Sequence, residues 1–301
     1  MPLPELTPDY ALRFDYHHHS NPMSQPRGRK LFDKVIVRPM LDKLWKEDPD
    51  RARQLDPNRA ASPRMVAGTS TQKAVDSVLN IDDAEPMKLD EAHSWAKSEG
   101  LIFENRHFIS DFLGNSDELE IELYKEEIPL VINHALEGLK QAMSRENRYV
   151  GEIILQDKLP GCELPHNTRP DYARRGDLKT KWSSVKKKSY LPKDLTGRWE
   201  QSALYQVAGF WALNGQQPPF LVYANWKEFR IFDQDNCPEL RDENLARIVK
   251  EIARHHQVTE QLLKKADNQD DLFSMIDPEW HDGFAWTLQP ELKELARRVF
   301  R

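Results

Sequence analysis

TRPDYARRGDLKTKW, residues 168–182, decides how the rest of this chain is read. Asp171 stands before a short polar turn of Arg174, Arg175 and Gly176; Asp177 and Lys179 stand just after it. The flanking residues alternate and Gly176 permits a tight reversal, so the stretch predicts a β-hairpin. With the turn centred on Arg174, Asp171 and Asp177 are directly opposed, with Cβ atoms roughly 4.5–5.5 Å apart. Asp177 and Lys179 are two residues apart and share a face. Opposed carboxylates destabilise a sheet, and a hard divalent cation with oxygen ligands offsets them. A lysine beside that cation can orient or help deprotonate a water, or stabilise developing negative charge. This is the chemistry of metal-dependent phosphodiester cleavage. The alternative is an exposed hairpin with scattered charges, because short D-x-K strings are common.

The 301 residues allow one large domain, or one domain with an appended helical region. A net charge of −6 does not announce a nucleic-acid binder. Distribution says more. Between Arg169 and Arg198 the acids are Asp171, Asp177 and Asp194, and basic residues far outnumber them. The chain is acidic overall but basic around its candidate site, as a phosphate-directed site requires. Its two cysteines, Cys162 and Cys237, are too few for a four-thiolate zinc or iron–sulfur site. So few thiols also predict no disulfide framework and a reducing compartment. No apolar run approaches membrane-spanning length, and MPLPELTPDY lacks the regions of a signal peptide. The expectation is a soluble, cytoplasmic protein with no membrane partner.

Residues 1–30 predict an extended Pro-rich arm, in which His17, His18 and His19 fit a solvated or locally packed segment better than a metal cluster. Leu31–Trp45 has a helical pattern interrupted by Pro39. In VAGTSTQKAVDSVLN, residues 66–80, Gly68 ends a short segment and Thr69 caps a helix that turns Ala74, Val75, Val78 and Leu79 inward. Gln72 and Asp76 lie four apart on one face. Residues 81–148 read as largely helical, most clearly from Lys125 to Ser144, where His134 borders the apolar stripe as a packed or capping residue. YVGEIILQ, residues 149–156, is strand-like and holds one acid, Glu152. A loop over 157–167 leads to the hairpin, and residues 183–198 resemble a mobile basic loop. GRWEQSALYQVAGFWALNG, residues 197–215, predicts a helix stopped by Gly215, with Gln201 and Tyr205 one turn apart. FLVYAN and WKEFRIFD predict two further strands, and the remainder is helical. Trp280 and Trp286 anchor a C-terminal loop more readily than they stack bases.

Together these pieces resemble the PD-(D/E)xK nuclease superfamily, most closely its RecB-like and phage exonuclease branch, which includes lambda-type exonucleases. The likeness covers residues 66–80 and 149–232. GTSTQKAVDSVL resembles the branch's opening helix, with Gln72 where the pattern has His and Asp76 where it has Glu. Glu152 matches an acid on the preceding strand, Asp171 the first metal-binding acid, Asp177 and Lys179 the acid–lysine pair, and Gln201 and Tyr205 the following helix. The resemblance implies an α/β (α+β) fold with a central mixed sheet flanked by helices, a restriction-endonuclease-like core. Residues 1–65 would be an N-terminal arm and helix. Residues 66–237 would be the core, with a helical insertion at 81–148, and 238–301 a helical addition. It implies Mg²⁺ or Mn²⁺ on Asp171, Asp177 and Glu152, with DNA as substrate. Lys179 would serve the attacking water. Gln201 and Tyr205 would orient the lysine, the water or the strand. Arg174, Arg175, Lys181, Lys186, Lys187, Lys188 and Gln72 would face DNA. The cysteine quartet of the iron–sulfur members is absent, so no cluster is expected. The preferred setting is an exonuclease of phage replication or recombination, with a homo-oligomer and partners from those processes left open. The alternatives are a restriction-like or structure-specific endonuclease, or a catalytically weak DNA-binding protein on the same fold.

Overall fold

The computed structural model describes residues 18–19, 37–48, 51–52, 55, 63–81, 84–102, 115–145, 150–267, 269–275 and 290–299. The expectations for His17, Trp280 and Trp286 fall outside these residues, as do those for the side chains of His18 and His19. The protein is mixed α/β, with helices and small sheets. In chain order the elements are β1 (His18–His19), α1 (Arg38–Glu47), α2 (Pro63–Leu79), α3 (Leu89–Lys97), α4 (Glu99–Ile102) and α5 (Asn115–Ala142). They continue as β2 (Leu155–Asp157), β3 (His166–Thr168), β4 (Gly176–Thr180), α6 (Arg198–Leu213), β5 (Phe220–Ala224) and β6 (Phe229–Phe232). The last are α7 (Asp242–Lys265), α8 (Gln269–Ser274) and α9 (Pro290–Val299).

The chain divides into two packed units. One comprises Met1–Arg59, Gln156–Asn167 and Val249–Arg301. Its core gathers Leu41 and Leu44 of α1, Phe273 of α8 and Leu295 of α9. Pro39 sits in the first turn of α1, where its missing N–H costs nothing; residues 31–36 of the expected helix lie outside the described residues. His166 and His256 are both buried, with Nδ1 and Nε2 3.0 Å apart.

The other unit, Ala60–Leu155 and Thr168–Ile248, holds the candidate site. Its sheet runs β4–β5–β6, with β5 parallel to β4 and antiparallel to β6. FLVYA is apolar throughout because β5 is central and all five residues are buried. One face, with Leu178, Phe220, Val222 and Ala224, packs on α2 and α5 through Ala74, Val75, Ile128, Val131 and Ile132. The opposite face carries Asp177, Lys179 and Tyr223, and its Asp177 and Lys179 meet Gln206 of α6. The helices between 89 and 142 contribute Ala92, Ala96, Tyr124 and Ile132 to the same core as the sheet.

Several local expectations change. Helix α2 starts at Pro63 and runs through Gly68 and Thr69, so Thr69 is an exposed mid-helix residue and not a cap. Gly68 lies where α2 passes β4: a Cβ there would come 3.2 Å from Thr180 Oγ1. The strand expected over 149–156 is reduced to β2. Residues 150–154 have no regular secondary structure and are tied by Ile153 N–H to Pro170 O (3.3 Å) and by Ala173 N–H to Val150 O (2.9 Å). Pro170 offers no N–H in return, so this edge cannot form a full ladder. The end of α6 is as its sequence predicts: Leu213 is its last residue and Gly215 takes φ +62°.

Candidate functional site

The site grows from the turn before β4. Tyr172 and Gly176 exchange hydrogen bonds, 3.1 Å from Tyr172 N–H to Gly176 O and 2.8 Å from Gly176 N–H to Tyr172 O. That pairing centres the turn on Arg174 and sets Asp171 opposite Asp177. The hairpin ends there. The next pair of ladder bonds would join residues 170 and 178, and Pro170 has no N–H to give. Leu178 N–H is taken instead by Asp171 Oδ2 at 3.2 Å, and β4 continues beside β5. Gly176 is not the residue that makes the reversal possible. Ala173 and Arg174 carry the positive φ angles, +49° and +61°. Gly176 lies in the strand, where an added Cβ would come 2.0 Å from the Phe220 ring.

On β4, Asp177 is buried and its Oδ2 lies 2.5 Å from Lys179 Nζ. Lys179 Nζ donates to Gln206 Oε1 at 3.0 Å, and Gln206 Nε2 lies 3.4 Å from Asp177 Oδ1. One carboxamide thus holds both charged groups in register. Burial pushes the Asp171 carboxyl up to about 8, and the neighbouring Asp177 charge adds to the rise. Burial pulls the Lys179 ammonium down, but Asp177 and Asp171 outweigh it and hold it above its ordinary value. Lys179 is therefore a cation here, able to donate and to neutralise but not to take a proton.

Two carboxylates and a carboxamide are hard oxygen donors, and Mg²⁺ characteristically takes one or two protein carboxylates and keeps waters for its remaining positions. The raised Asp171 carboxyl is a second fit, because a cation between the two acids would offset both its burial and the neighbouring Asp177 charge. Asp171 and Asp177 would hold it. Glu152 does not complete the set. It is exposed on the coil before β2 and ion-paired to Arg169. Among the described residues no three His, Cys, Asp or Glu side chains are grouped to hold a metal.

The remaining candidates separate by what they touch. Gln201 is exposed in the first turn of α6, where its neighbour Glu200 binds Lys181 at 3.2 Å. Tyr205 is half-buried one turn later. Gln206 is the α6 residue that reaches Asp177 and Lys179. Its signal was a polar residue three after Ala203 and four before Phe210, both buried on this helix. Gln72 is half-buried on α2, one turn before Asp76, whose Oδ1 accepts the hydroxyl of the fully buried Tyr172 at 2.8 Å. Lys181 Nζ also lies 5.4 Å from the Tyr223 ring centroid. Arg174 is exposed, whereas Arg175 donates to Pro218 O at 2.8 Å and lies over the Phe220 ring. Lys186, Lys187 and Lys188 are all exposed, and Lys188 Nζ also lies 3.9 Å from the buried Glu127. The loop carrying them is fastened where the sequence suggested mobility: Glu127 Oε2 accepts Ser183 N–H at 3.1 Å.

Cys162 and Cys237 are buried free thiols. Burial raises them to about 11 and about 12. No helix among the described residues is long and apolar enough to cross a membrane. Compared with known proteins, the chain matches no family model, no curated protein and no solved structure.

Proposed function

We propose that this protein is a metal-dependent deoxyribonuclease, built on a restriction-endonuclease-like core. One observation carries the reading: Asp171 and Asp177 oppose each other across a tight turn, with Lys179 on the face of Asp177 and Gln206 bridging the pair. A purely structural turn gains nothing from a buried acid facing a second acid whose proton affinity it raises. Mg²⁺ or Mn²⁺ bound between the carboxylates would supply an activated water and polarise the phosphoryl group.

The chain's own residues then have defined tasks. Asp171 and Asp177 would hold the cation and offset its charge. Lys179, kept protonated, donates to a phosphate oxygen or orients the incoming water as negative charge builds. Gln206 limits the rotamers of Lys179 and Asp177, so the lysine is aimed before substrate arrives. Arg174, Lys186 and Lys187 are exposed cations suited to flanking phosphates. The preferred reading is an exonuclease of phage-type replication or recombination that leaves 5′-phosphates. An endonuclease uses the same chemistry. The ion pair between Lys179 and Asp177 favours one other reading, a DNA-binding protein in which the lysine has replaced the cation.

Cleavage of end-labelled linear and closed circular DNA in Mg²⁺, Mn²⁺ and EDTA tests all three. Metal-dependent loss of linear DNA with circles spared is the expected result. Nicked circles would indicate the endonuclease. Binding without cleavage in either metal would sink the nuclease.

A further inference from the structure

The turn after β4 carries a feature that the proposed chemistry does not use. Ser184 N–H donates to Lys187 O at 2.8 Å, and Lys187 N–H returns to Ser184 O at 3.1 Å. The base of the turn is fixed from three sides. Ser183 N–H donates to Glu127, Ser189 N–H donates to Ser183 Oγ at 3.0 Å, and Asn225 Nδ2 donates to Ser189 O at 3.3 Å. Glu127, Ser183 and Asn225 are buried. This anchored frame projects an aromatic ring into solvent: Tyr190 is 65% exposed. Lys187 Nζ lies 4.7 Å from the Tyr190 ring centroid, and Lys186 is exposed in the same turn. Collapse of the ring onto the protein would bury apolar area at a favourable rate. The anchored backbone presents it instead, with a cation at the ring and a second cation in the same turn.

We infer that Tyr190 is a stacking platform for an unpaired nucleobase of single-stranded DNA, with Lys186 and Lys187 on the adjoining phosphates. The inference rests on the nuclease reading for its choice of DNA as ligand, and it deepens that reading by naming the strand state. Inside a duplex both faces of a base are covered by its neighbours, so away from duplex ends only an unpaired base offers a face to a ring. Duplex contact through phosphates alone would need the lysines but not the tyrosine. Ser183 is four positions beyond Lys179, a span of at most about 14 Å. The carboxylate pair and the base of the turn therefore lie within the length of a strand a few nucleotides long.

The test reads binding alone, in EDTA, by fluorescence anisotropy of a labelled oligo-dT strand and of a labelled duplex long enough that its ends are a small share of its binding sites. Tyr190→Ala should weaken single-strand binding about tenfold and leave duplex binding unchanged. Tyr190→Phe, which keeps the ring, should bind as the parent does. A wholly abasic strand should bind parent and Tyr190→Ala alike. Equal single-strand affinity in parent and Tyr190→Ala would overturn the proposal, as would an equal loss on strand and duplex. Failure to cleave in any metal would sink the nuclease reading while leaving the stacking site standing if the Tyr190 effect is present. A parent that binds neither DNA would remove the stacking site itself.

Discussion

Two tight turns bracket β4, and they treat charge in opposite ways. In the turn before it, Tyr172–Gly176, the polar groups other than the exposed Arg174 guanidinium are largely consumed internally. Asp171 caps Leu178, Arg175 is bound to Pro218, and Asn214 Nδ2 donates to Arg174 O at 3.0 Å. In the turn after it, Ser184–Lys187, the backbone is equally fixed, yet Lys186, Lys187 and Tyr190 face solvent. The first arrangement suits a site that must hold two acids and a lysine within fractions of an ångström. The second suits a surface that meets a ligand of variable sequence. A rigid backbone is common to both; only the direction of the side chains differs.

The largest expected effect breaks this comparison if it fails. Asp177→Asn and Lys179→Ala should each lower metal-dependent cleavage by about 10³-fold, with far-ultraviolet circular dichroism unchanged. The double substitution Lys186→Ala, Lys187→Ala should leave turnover at saturating DNA near the parent value, raise the apparent KM and flatten its salt dependence. If both sets of substitutions act on KM alone, the first turn is a binding turn like the second.

Next in size is Gly176→Ala. The new Cβ would meet the Phe220 ring at 2.0 Å, and the ring has no free direction because Phe220 is buried. A loss of roughly 3 kcal/mol in stability is expected, read as a lowered denaturant midpoint. Phe220→Leu combined with Gly176→Ala should recover part of it. An equal loss in both variants would mean that the clash is not what makes glycine necessary.

These two positions also show what the sequence could and could not disclose. The opposition of Asp171 and Asp177 was readable because a hairpin register depends only on where its turn is centred. The buried strand β5 was readable because its apolar run is local, and so was the end of α6 at Gly215. Gly176 looked like a turn glycine because Phe220, the residue that demands it, is remote in sequence. Lys188 is exposed like Lys186 and Lys187 but differs from them in lying 3.9 Å from Glu127 of α5, a neighbour remote in sequence. Glu152 looked like a third ligand on a strand. Pro170 withholds the N–H that would have completed that strand's pairing, and the carboxylate turns to Arg169. Gln201 looked right by motif spacing, but which glutamine meets Lys179 depends on how α6 is rotated on the sheet, and that rotation selects Gln206.

A smaller effect follows from Asp171. Its folded-state carboxyl titrates above the ordinary unfolded value, so the folded protein binds a proton more tightly than the unfolded chain. In EDTA the stability from this group is therefore fully present below about pH 4 and is lost as pH rises toward about 8. Asp171→Asn should flatten that decline, worth a few degrees in Tm at alkaline pH. Added Mg²⁺ should raise the Tm of the parent more at pH 8.5 than at pH 6, because cation binding must displace the proton. A pH-independent Mg²⁺ effect would place the cation away from Asp171.

The smallest effect concerns the backbone of the first turn. Ala173 holds φ at +49°, a region that costs an L-residue with a Cβ about 1 kcal/mol and costs glycine nothing. Ala173→Gly removes that cost but enlarges the freedom of the unfolded chain, which opposes it by roughly 0.5–1 kcal/mol. The two nearly cancel, so the stability should change by less than about 0.5 kcal/mol. An alanine strained by its surroundings alone would predict a clear gain; one placed where flexibility is harmful would predict a clear loss. Cleavage separates these cases further. The turn sets the distance between the two carboxylates, and an unchanged denaturant midpoint with a lowered kcat would mean that Ala173 contributes stiffness to the pair rather than stability to the fold.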